Sequence, residues 1–511
     1  MINAHSTPEV TPSLSSSAWS SGSARAAPTP RIGLALAGLW FAAAIGCVPT
    51  NARVIVTPPP DPPGEVATAA PAPAPAAASA KPITFQHHDD VPAAMARASA
   101  ENKAVFVDVW APWCHTCLSM QAYVLGDPSL GAFADRVIFV AVDSDKPENA
   151  AFLERYAVSS WPTFFLLDPG GKTGPQDERL LGYWPGAASL TELRTFVDEG
   201  LRGMGSGKPA GGDQASLASA HAAFAGRDFA GAAGLYERLV TRESASPRRS
   251  EALLGWIRST YSAKDWAACA SIGQKYVNEV TGAALPADFS SYAFTCAGKL
   301  PAGPEQAALR AAVIARLREL VRRPPVDASP DDRADALAIL AEALAETGDR
   351  DGARAANQAR LGLMERAAAE APAPEVAATY DYQRAGAYLA LGRPDDAVRM
   401  LVQRERELPK SYEPPARLAD VLVRVGRLPE ALKAIDRAIA RAYGPRRLRY
   451  LKLRAEIQDK LGDRAAQIAT LREEVAGHEA LARGHANLER LAEAKKRLEE
   501  AERAALPLPS K

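Results

Sequence analysis

The chain has 511 residues, enough for two or three domains. Hydrophobic residues make up 47% and charged residues 23%, an ordinary globular balance. Lys plus Arg and Asp plus Glu both number 60, so the charge balance gives no reason to expect nucleic-acid binding.

Residues 1–31 are rich in Ser, Ala and Thr, with Arg25 and Arg31 nearest the next segment. Ile32 to Ile45 is apolar over fourteen residues. That is short of the ~20 a membrane span needs and suits a signal-peptide core. The run ends at Ala44-Ile-Gly-Cys47, which resembles a bacterial lipobox. The resemblance implies cleavage before Cys47, with acyl chains on that cysteine holding the protein on a membrane. An uncleaved signal anchor and a soluble secreted form are the rivals. Ala44 stands where Leu is more typical, and the long basic leader leaves the true start open. Val48 follows the cysteine, which by likeness to enterobacterial lipoproteins favours the outer membrane. The expected address is therefore the cell envelope, on its periplasmic face.

Residues 48–82 hold ten prolines, including Pro58-Pro-Pro-Asp-Pro-Pro63. Such a composition buries no core and favours extended polyproline II. Its 35 residues would reach roughly 110 Å at about 3.1 Å each, a stiff tether.

From residue 83 to about 203 the pattern alternates between strands and helices. Expected elements are a strand over Ile83–Gln86, a helix over Val91–Asn102 and a strand over Ala104–Val109. A helix entered at Cys114 follows, then a buried strand over Val137–Asp143 and a helix over Glu148–Tyr156. The segment Val158–Asp168 leads to a Gly170-Gly171 turn, a strand over Arg179–Trp184 and a helix over Leu190–Leu201. This order gives a sheet with helices on both faces.

The chemistry sits at Cys114-His-Thr-Cys117. If a helix starts at Cys114, both sulfurs lie in its first turn, where unpaired N–H groups and the helix dipole favour thiolate. Cys114 is expected to be the exposed nucleophile and Cys117, one turn deeper, the resolving thiol. A lone Cys-x-x-Cys also looks like half a zinc site. Zinc needs about four ligands, and no second such pair exists here. Haem attachment needs His after the second cysteine, where Leu118 stands. The reading calls for no cofactor and no metal.

Trp110-Ala-Pro-Trp-Cys-His-Thr-Cys117 after a hydrophobic strand resembles the thioredoxin superfamily, with a particular likeness to the DsbD-type C-terminal domain and related lipoproteins. The resemblance implies that Pro162 is cis and faces the redox pair, although a proline that merely starts a strand reads the same. It also implies that Asp108, six residues before Cys114, is the buried acid that takes the Cys117 proton. Phe106, Asp108 and Trp110 share one strand face, which weakly disfavours an exposed Asp108. Phe139 stands where thioredoxin has the lysine that pairs with that acid, so the Asp108 pKa is expected to be raised further. His115 is expected either to stabilise the Cys114 thiolate when protonated or to be a solvated bystander. Trp113 and Trp161, with His115 and Pro162, would form the substrate platform, and Trp110 belongs to the core. His87 and His88 show no ligand spacing.

Beyond a Gly-rich linker at residues 204–213, strand-like segments largely disappear. Gly392, Gly426 and Gly462 mark turns 34 and 36 residues apart. Alanines 12 residues apart flank the turns: Ala220 with Ala232, Ala341 with Ala353, Ala385 with Ala397 and Ala419 with Ala431. A small residue on each of two antiparallel helices lets their backbones approach closely. The pattern resembles tetratricopeptide repeats, and Leu428–Ile435 matches best. Departures are the 44-residue step from Gly348 to Gly392, Gln467 in the last unit and Ile257 in the second. About six helix pairs are expected over 214–478, with a loop at 324–330. A single helix over Glu479–Ala504 follows, read as a cap with a short dimerising coiled coil as its rival. Cys269 and Cys296 fall on neighbouring helices and are expected to form a structural disulfide, or else to be two buried thiols.

The fold class is thus an α/β thioredoxin-like domain followed by an all-α tetratricopeptide-like solenoid. The implied activity is thiol–disulfide exchange with partner proteins, with a membrane thiol reductase as electron source and a protein ligand on the repeats. The competing reading is an envelope scaffold whose thioredoxin-like domain is a sensor or inert.

Overall fold

The computed structural model describes residues 83–156, 158–170, 179–204, 213–242, 246 and 248–505. The lipobox-like Cys47, the apolar leader and the Pro-rich tether lie outside the described residues, as does most of the Gly-rich linker.

Five strands, β1 (His87–His88), β2 (Ala104–Trp110), β3 (Val137–Asp143), β4 (Thr163–Asp168) and β5 (Arg179–Pro185), form one sheet in the order β1-β3-β2-β4-β5. β2 pairs parallel to β3 and antiparallel to β4. Central β2 and β3 are buried along almost their whole length, as expected of largely apolar runs, interrupted in β2 by Asp108. Helices α1 (Val91–Glu101), α2 (His115–Tyr123), α3 (Ala150–Arg155) and α4 (Leu190–Gly203) complete this domain. Two cores flank the sheet. Val105, Val107 and Val109 face one with Ile138 and Val140. Phe106 faces the other with Met120, Phe164 and Phe196. β1 is displaced from the expected Ile83–Gln86: only the next two residues pair with β3, while Ile83 and Phe85 serve as packing against the second core. The helix expected from Glu148 begins later, because Pro147–Asn149 takes a 3-10 turn first.

The rest is helical. Antiparallel pairs run α5 (Asp213–Ala225) with α6 (Phe229–Arg242), α7 (Arg249–Ser262) with α8 (Trp266–Tyr276), and α9 (Leu285–Ala297) with α10 (Pro304–Arg322). They continue as α11 (Pro330–Glu346) with α12 (Arg350–Glu370), then, past the short α13 (Pro374–Ala377), α14 (Asp381–Ala390) with α15 (Pro394–Glu407). The last are α16 (Glu413–Arg424) with α17 (Leu428–Ile439) and α18 (Gly444–Lys460) with α19 (Arg464–Glu479). This makes seven pairs among the described residues, one more than the periodicity indicates, because the degenerate early units hide their turns. All four alanine pairs spaced by 12 are buried, and α13 fills the long Gly348–Gly392 step.

The single helix expected over Glu479–Ala504 is in fact broken. Residues 480–487 form a turn, and α20 spans Leu488–Ala505. Leu488, the first residue of α20, is exposed. Ala501 and Leu498 pack on Leu471 of α19 and close the last pair as a cap.

Cys269 on α8 and Cys296 on α9 are disulfide-bonded, with Cα atoms 6.0 Å apart and no solvent exposure. Cys269 occupies the small-residue position 12 after Ile257, facing α7, while its sulfur crosslinks α8 to α9. Replacing both with Ala should lower unfolding stability by about 3 kcal/mol, read from urea melts of the oxidised protein.

Candidate redox site

β2 ends at Trp110, the chain turns through Ala111, and α2 begins with Cys114 as its N-cap, accepting a hydrogen bond from the Cys117 backbone N–H at 3.0 Å. The structure holds Cys114 and Cys117 as a disulfide with Cα atoms 5.2 Å apart. The cysteines form a small cluster with Ala111, packed by Trp110, Trp113 and Trp161. The Trp161–Pro162 peptide bond is cis, directly before β4. A dithiol at a helix N-terminus can be stabilised as thiolate and can attack a disulfide.

Asp108 is buried on the β2 face that carries Phe106. Desolvation pushes its carboxyl up to about 7; the Gln121 amide pulls weakly the other way. Neither carboxyl oxygen completes a hydrogen bond among the described residues. Phe139, at the position thioredoxin gives to lysine, packs against Phe106 with ring centroids 5.4 Å apart. Asp108 therefore has no cation to hold its proton off, and near neutral pH it can both give and take one.

The largest departure from expectation is cover. Cys114 is 5% exposed and Cys117 1%, so the nucleophile position is not an open helix tip. The domain and the repeats belong to one compact unit, and the repeats contact Trp113 and His115 on either side of Cys114. Trp113 and Trp161 do form an edge-on pair at 5.3 Å. That platform is occupied: the Arg446 guanidinium lies 4.0 Å over the Trp113 ring, and Arg417 donates to the Trp113 carbonyl at 3.3 Å. The indole of Trp113 donates to Asp145 at 2.6 Å, and that of Trp161 to Ser144 at 2.8 Å. Burial raises Asp145 to about 6 against the opposing pull of Arg446.

His115 is neither solvated nor free for substrate. It is 6% exposed and stacks on Tyr382 of α14 at 4.9 Å. Its Nδ1 lies 2.9 Å from Asp331 Oδ2 on α11. Burial works against the imidazolium, but the charge and hydrogen bond of Asp331 outweigh it and hold His115 above its ordinary pKa. Below α2, Ser119 donates to Ser329 at 3.1 Å and Tyr123 bonds Tyr380. Beyond β3, Tyr443 bonds Asp143, and His485 in the turn before α20 meets the Ser144 carbonyl at 2.9 Å.

Among the described residues, His115, Asp331 and Asp335 are a group with metal-ligand chemistry, their ligand atoms within 4.8 Å of one another. Nδ1 already contacts both Asp331 oxygens, and Asp335 Oδ1 accepts from the Gln383 amide at 2.5 Å. The protein's own partners thus meet these atoms.

Asp331, Asp145, Arg417 and Arg446 escaped the sequence reading. Ser329-Pro-Asp-Asp332 carries the signature of a helix start, and Asp332 does complete a capping box with Ser329. Asp331 beside it looked like more of the same. The two arginines were among dozens of surface-type charges, and only the fold brings them to Trp113.

A thioredoxin-like domain joined to tetratricopeptide-like helical repeats is the class this fold defines. Residues 86–169 match the model of a family described as thioredoxin-like. The chain is 32% identical over 99 residues to protein disulfide-isomerase 1 of Dictyostelium discoideum, covering 19% of this chain and 25% of that one. It is 29% identical over 111 residues to the thiol:disulfide interchange protein DsbD of Pseudoalteromonas atlantica, covering 21% and 19%. The chain thus spans a quarter or less of these relatives' length. Among solved structures, a tetratricopeptide repeat protein from Parabacteroides merdae is similar at 11% identity and a TM-score of 0.34, covering 56% of this chain and 97% of that one.

Proposed function

We propose that the chain is a thiol–disulfide oxidoreductase of the cell envelope, acting on partner proteins through Cys114 and Cys117 and shielded by its own repeats. The observation that carries the reading is the disulfide-bonded cysteine pair at the start of α2, in a domain that also holds a cis Trp161–Pro162 bond and a buried Asp108. In the reducing direction, the Cys114 thiolate attacks a partner disulfide. One partner sulfur joins Cys114, and the other leaves as thiolate. Cys117 loses its proton to Asp108 and attacks Cys114, releasing the second partner sulfur, so two electrons pass to the partner and the Cys114–Cys117 disulfide forms. A membrane thiol reductase is the suitable source for restoring the dithiol. The lipobox-like Cys47 and the Pro-rich segment support a lipid anchor and tether on the outer membrane, and the repeats offer a protein-binding surface. No described helix is long and apolar enough to cross a membrane.

The cover over Cys114 favours a second reading, in which the domain is a sensor and the repeats a scaffold. Insulin reduction with dithiothreitol separates the two. The wild-type chain should accelerate precipitation and Cys114→Ser should return it to the uncatalysed rate. Equal rates for the two would remove Cys114 as nucleophile. Cys117→Ala should leave partners trapped on Cys114 as mixed disulfides, identified by mass spectrometry.

A further inference from the structure

The residue between the two cysteines that follows the nucleophile is held by a side chain 216 positions away. His115 is the N1 residue of α2, adjacent to Cys114, and its Nδ1 approaches both oxygens of Asp331 at 2.9 and 3.0 Å. Both side chains are buried. The imidazole is clamped from its flat side by Tyr382, parallel to within 10°. Nε2 has no hydrogen-bond partner among the described residues, so Asp331 is the group that fixes the ring.

We propose that Asp331, contributed by the helical repeats, is a positioning residue of the redox centre: it keeps His115 as an imidazolium beside Cys114 and so sets the reduction potential of the Cys114–Cys117 couple. The proposal rests on the thiol–disulfide reading above. An imidazolium next to the nucleophile stabilises its thiolate, which exists only in the reduced form and so makes the couple more oxidising. A buried imidazole without a carboxylate partner would be neutral and would give no such help.

The surroundings agree in sign. Asp335 on α11 favours the imidazolium as Asp331 does, Asp288 on α9 feels the His115 charge, and Arg417 on α16 opposes it. Burial and the neighbouring carboxylate of Asp331 push Asp335 up to about 8, and burial pushes Asp288 to about 7. Among these carboxylates it is Asp331 whose oxygens meet the imidazole directly, at 2.9 and 3.0 Å. Tyr382 offers the imidazolium a ring face. The redox centre is therefore built by two parts of the chain, and its chemistry depends on their being docked.

The test is the equilibrium of the full-length chain with glutathione. Disulfide plus two glutathione thiols gives dithiol plus oxidised glutathione, so atoms and electrons balance. Asp331→Asn should make the protein disulfide about tenfold harder to reduce, which is roughly 30 mV toward the reducing side for a two-electron couple. Asp331→Glu, which keeps the charge, should restore most of the wild-type constant and guards against misfolding as the cause. In a His115→Ala background, Asp331→Asn should add nothing. An unchanged constant in Asp331→Asn, or an equal shift with and without His115, overturns the proposal. Failure of the wild-type pair to equilibrate with glutathione at all would overturn the oxidoreductase reading instead.

Discussion

Valine in place of Gly484 should raise both the alkylation rate of Cys114 and the rate of insulin reduction by about one to two orders of magnitude. Gly484 lies in the turn between α19 and α20, where a Cβ would sit 1.8 Å from the Ala150 carbonyl oxygen and 2.7 Å from the Glu154 nitrogen. Both are backbone atoms of the thioredoxin-like domain and cannot rotate away. Gly444, at the start of α18, presses on the same domain. Its φ is +53°, and a Cβ there would meet the Asp145 carbonyl at 1.8 Å. A side chain at either place acts as a wedge between the two parts while leaving both cores intact. Overpacking of this kind costs about 1–3 kcal/mol, and each 1.4 kcal/mol is tenfold in the docked-to-undocked ratio. Cys114 is 5% exposed in the docked chain, and undocking the repeats from Trp113 and His115 should uncover it. Gly484→Val is the cleaner variant, since Gly444→Val also strains a left-handed backbone. The measurement is iodoacetamide labelling of the reduced full-length chain, with hydrogen exchange on α5–α17 as the control for folding. A folded variant whose Cys114 labels as slowly as wild type would show that the repeats do not shield the site.

The docking of the repeats on the redox domain was the part of the molecule the sequence did not disclose. β2 and β3 were legible because buried parallel strands are continuous apolar runs, and the helix carrying the cysteines because the strand breaks at Ala111-Pro112. β1 was misplaced because two edge residues carry too little pattern to mark pairing. The repeats were legible from their close approaches: an alanine, or at Cys269 a cysteine, recurs where two helix backbones touch. The break before α20 left a mark in Gly484 and His485, inside a stretch of otherwise good helix formers, but its cause lies 330 residues upstream in the redox domain. Sequence separation also hid Asp331, 216 positions from His115. A carboxylate in a first helical turn has a sufficient local explanation in the helix dipole. Only the return of α11 onto α2 gives it a second role. Local pattern specifies each half of this protein, and the contacts that join the halves are dispersed over single residues.

Asp108→Asn should slow the resolving step about a hundredfold while leaving the first attack by Cys114 nearly unchanged. Burial places the Asp108 carboxyl at about 7, close to the pH at which it must accept a proton from Cys117. Positioned proton transfer of this kind contributes about 10²–10⁴-fold, greatest when the pKa matches the working pH. Rapid-quench trapping of the mixed disulfide would show it accumulating in the variant, with its lifetime lengthened and its rate of formation preserved. The same substitution should change stability in a way that only a buried titrating acid explains. The folded pKa of about 7 stands above the ordinary value of 3.8. Below pH 3.8 both folded and unfolded chains hold the proton, and the group is neutral in both. Between the two values the folded chain holds a proton that the unfolded chain has lost, so wild-type stability falls as pH rises. Above about 7 the loss is complete and amounts to at most about 4 kcal/mol, at 1.36 kcal/mol per unit. Asparagine does not titrate, so the variant should gain on wild type from pH 4 to pH 8 and hold a constant lead above that. Taking the difference between the two proteins in urea melts cancels every other titrating group. A pH-independent difference would mean that Asp108 ionises as freely in the folded chain as in water, and it would then be too weak a base for the role assigned to it.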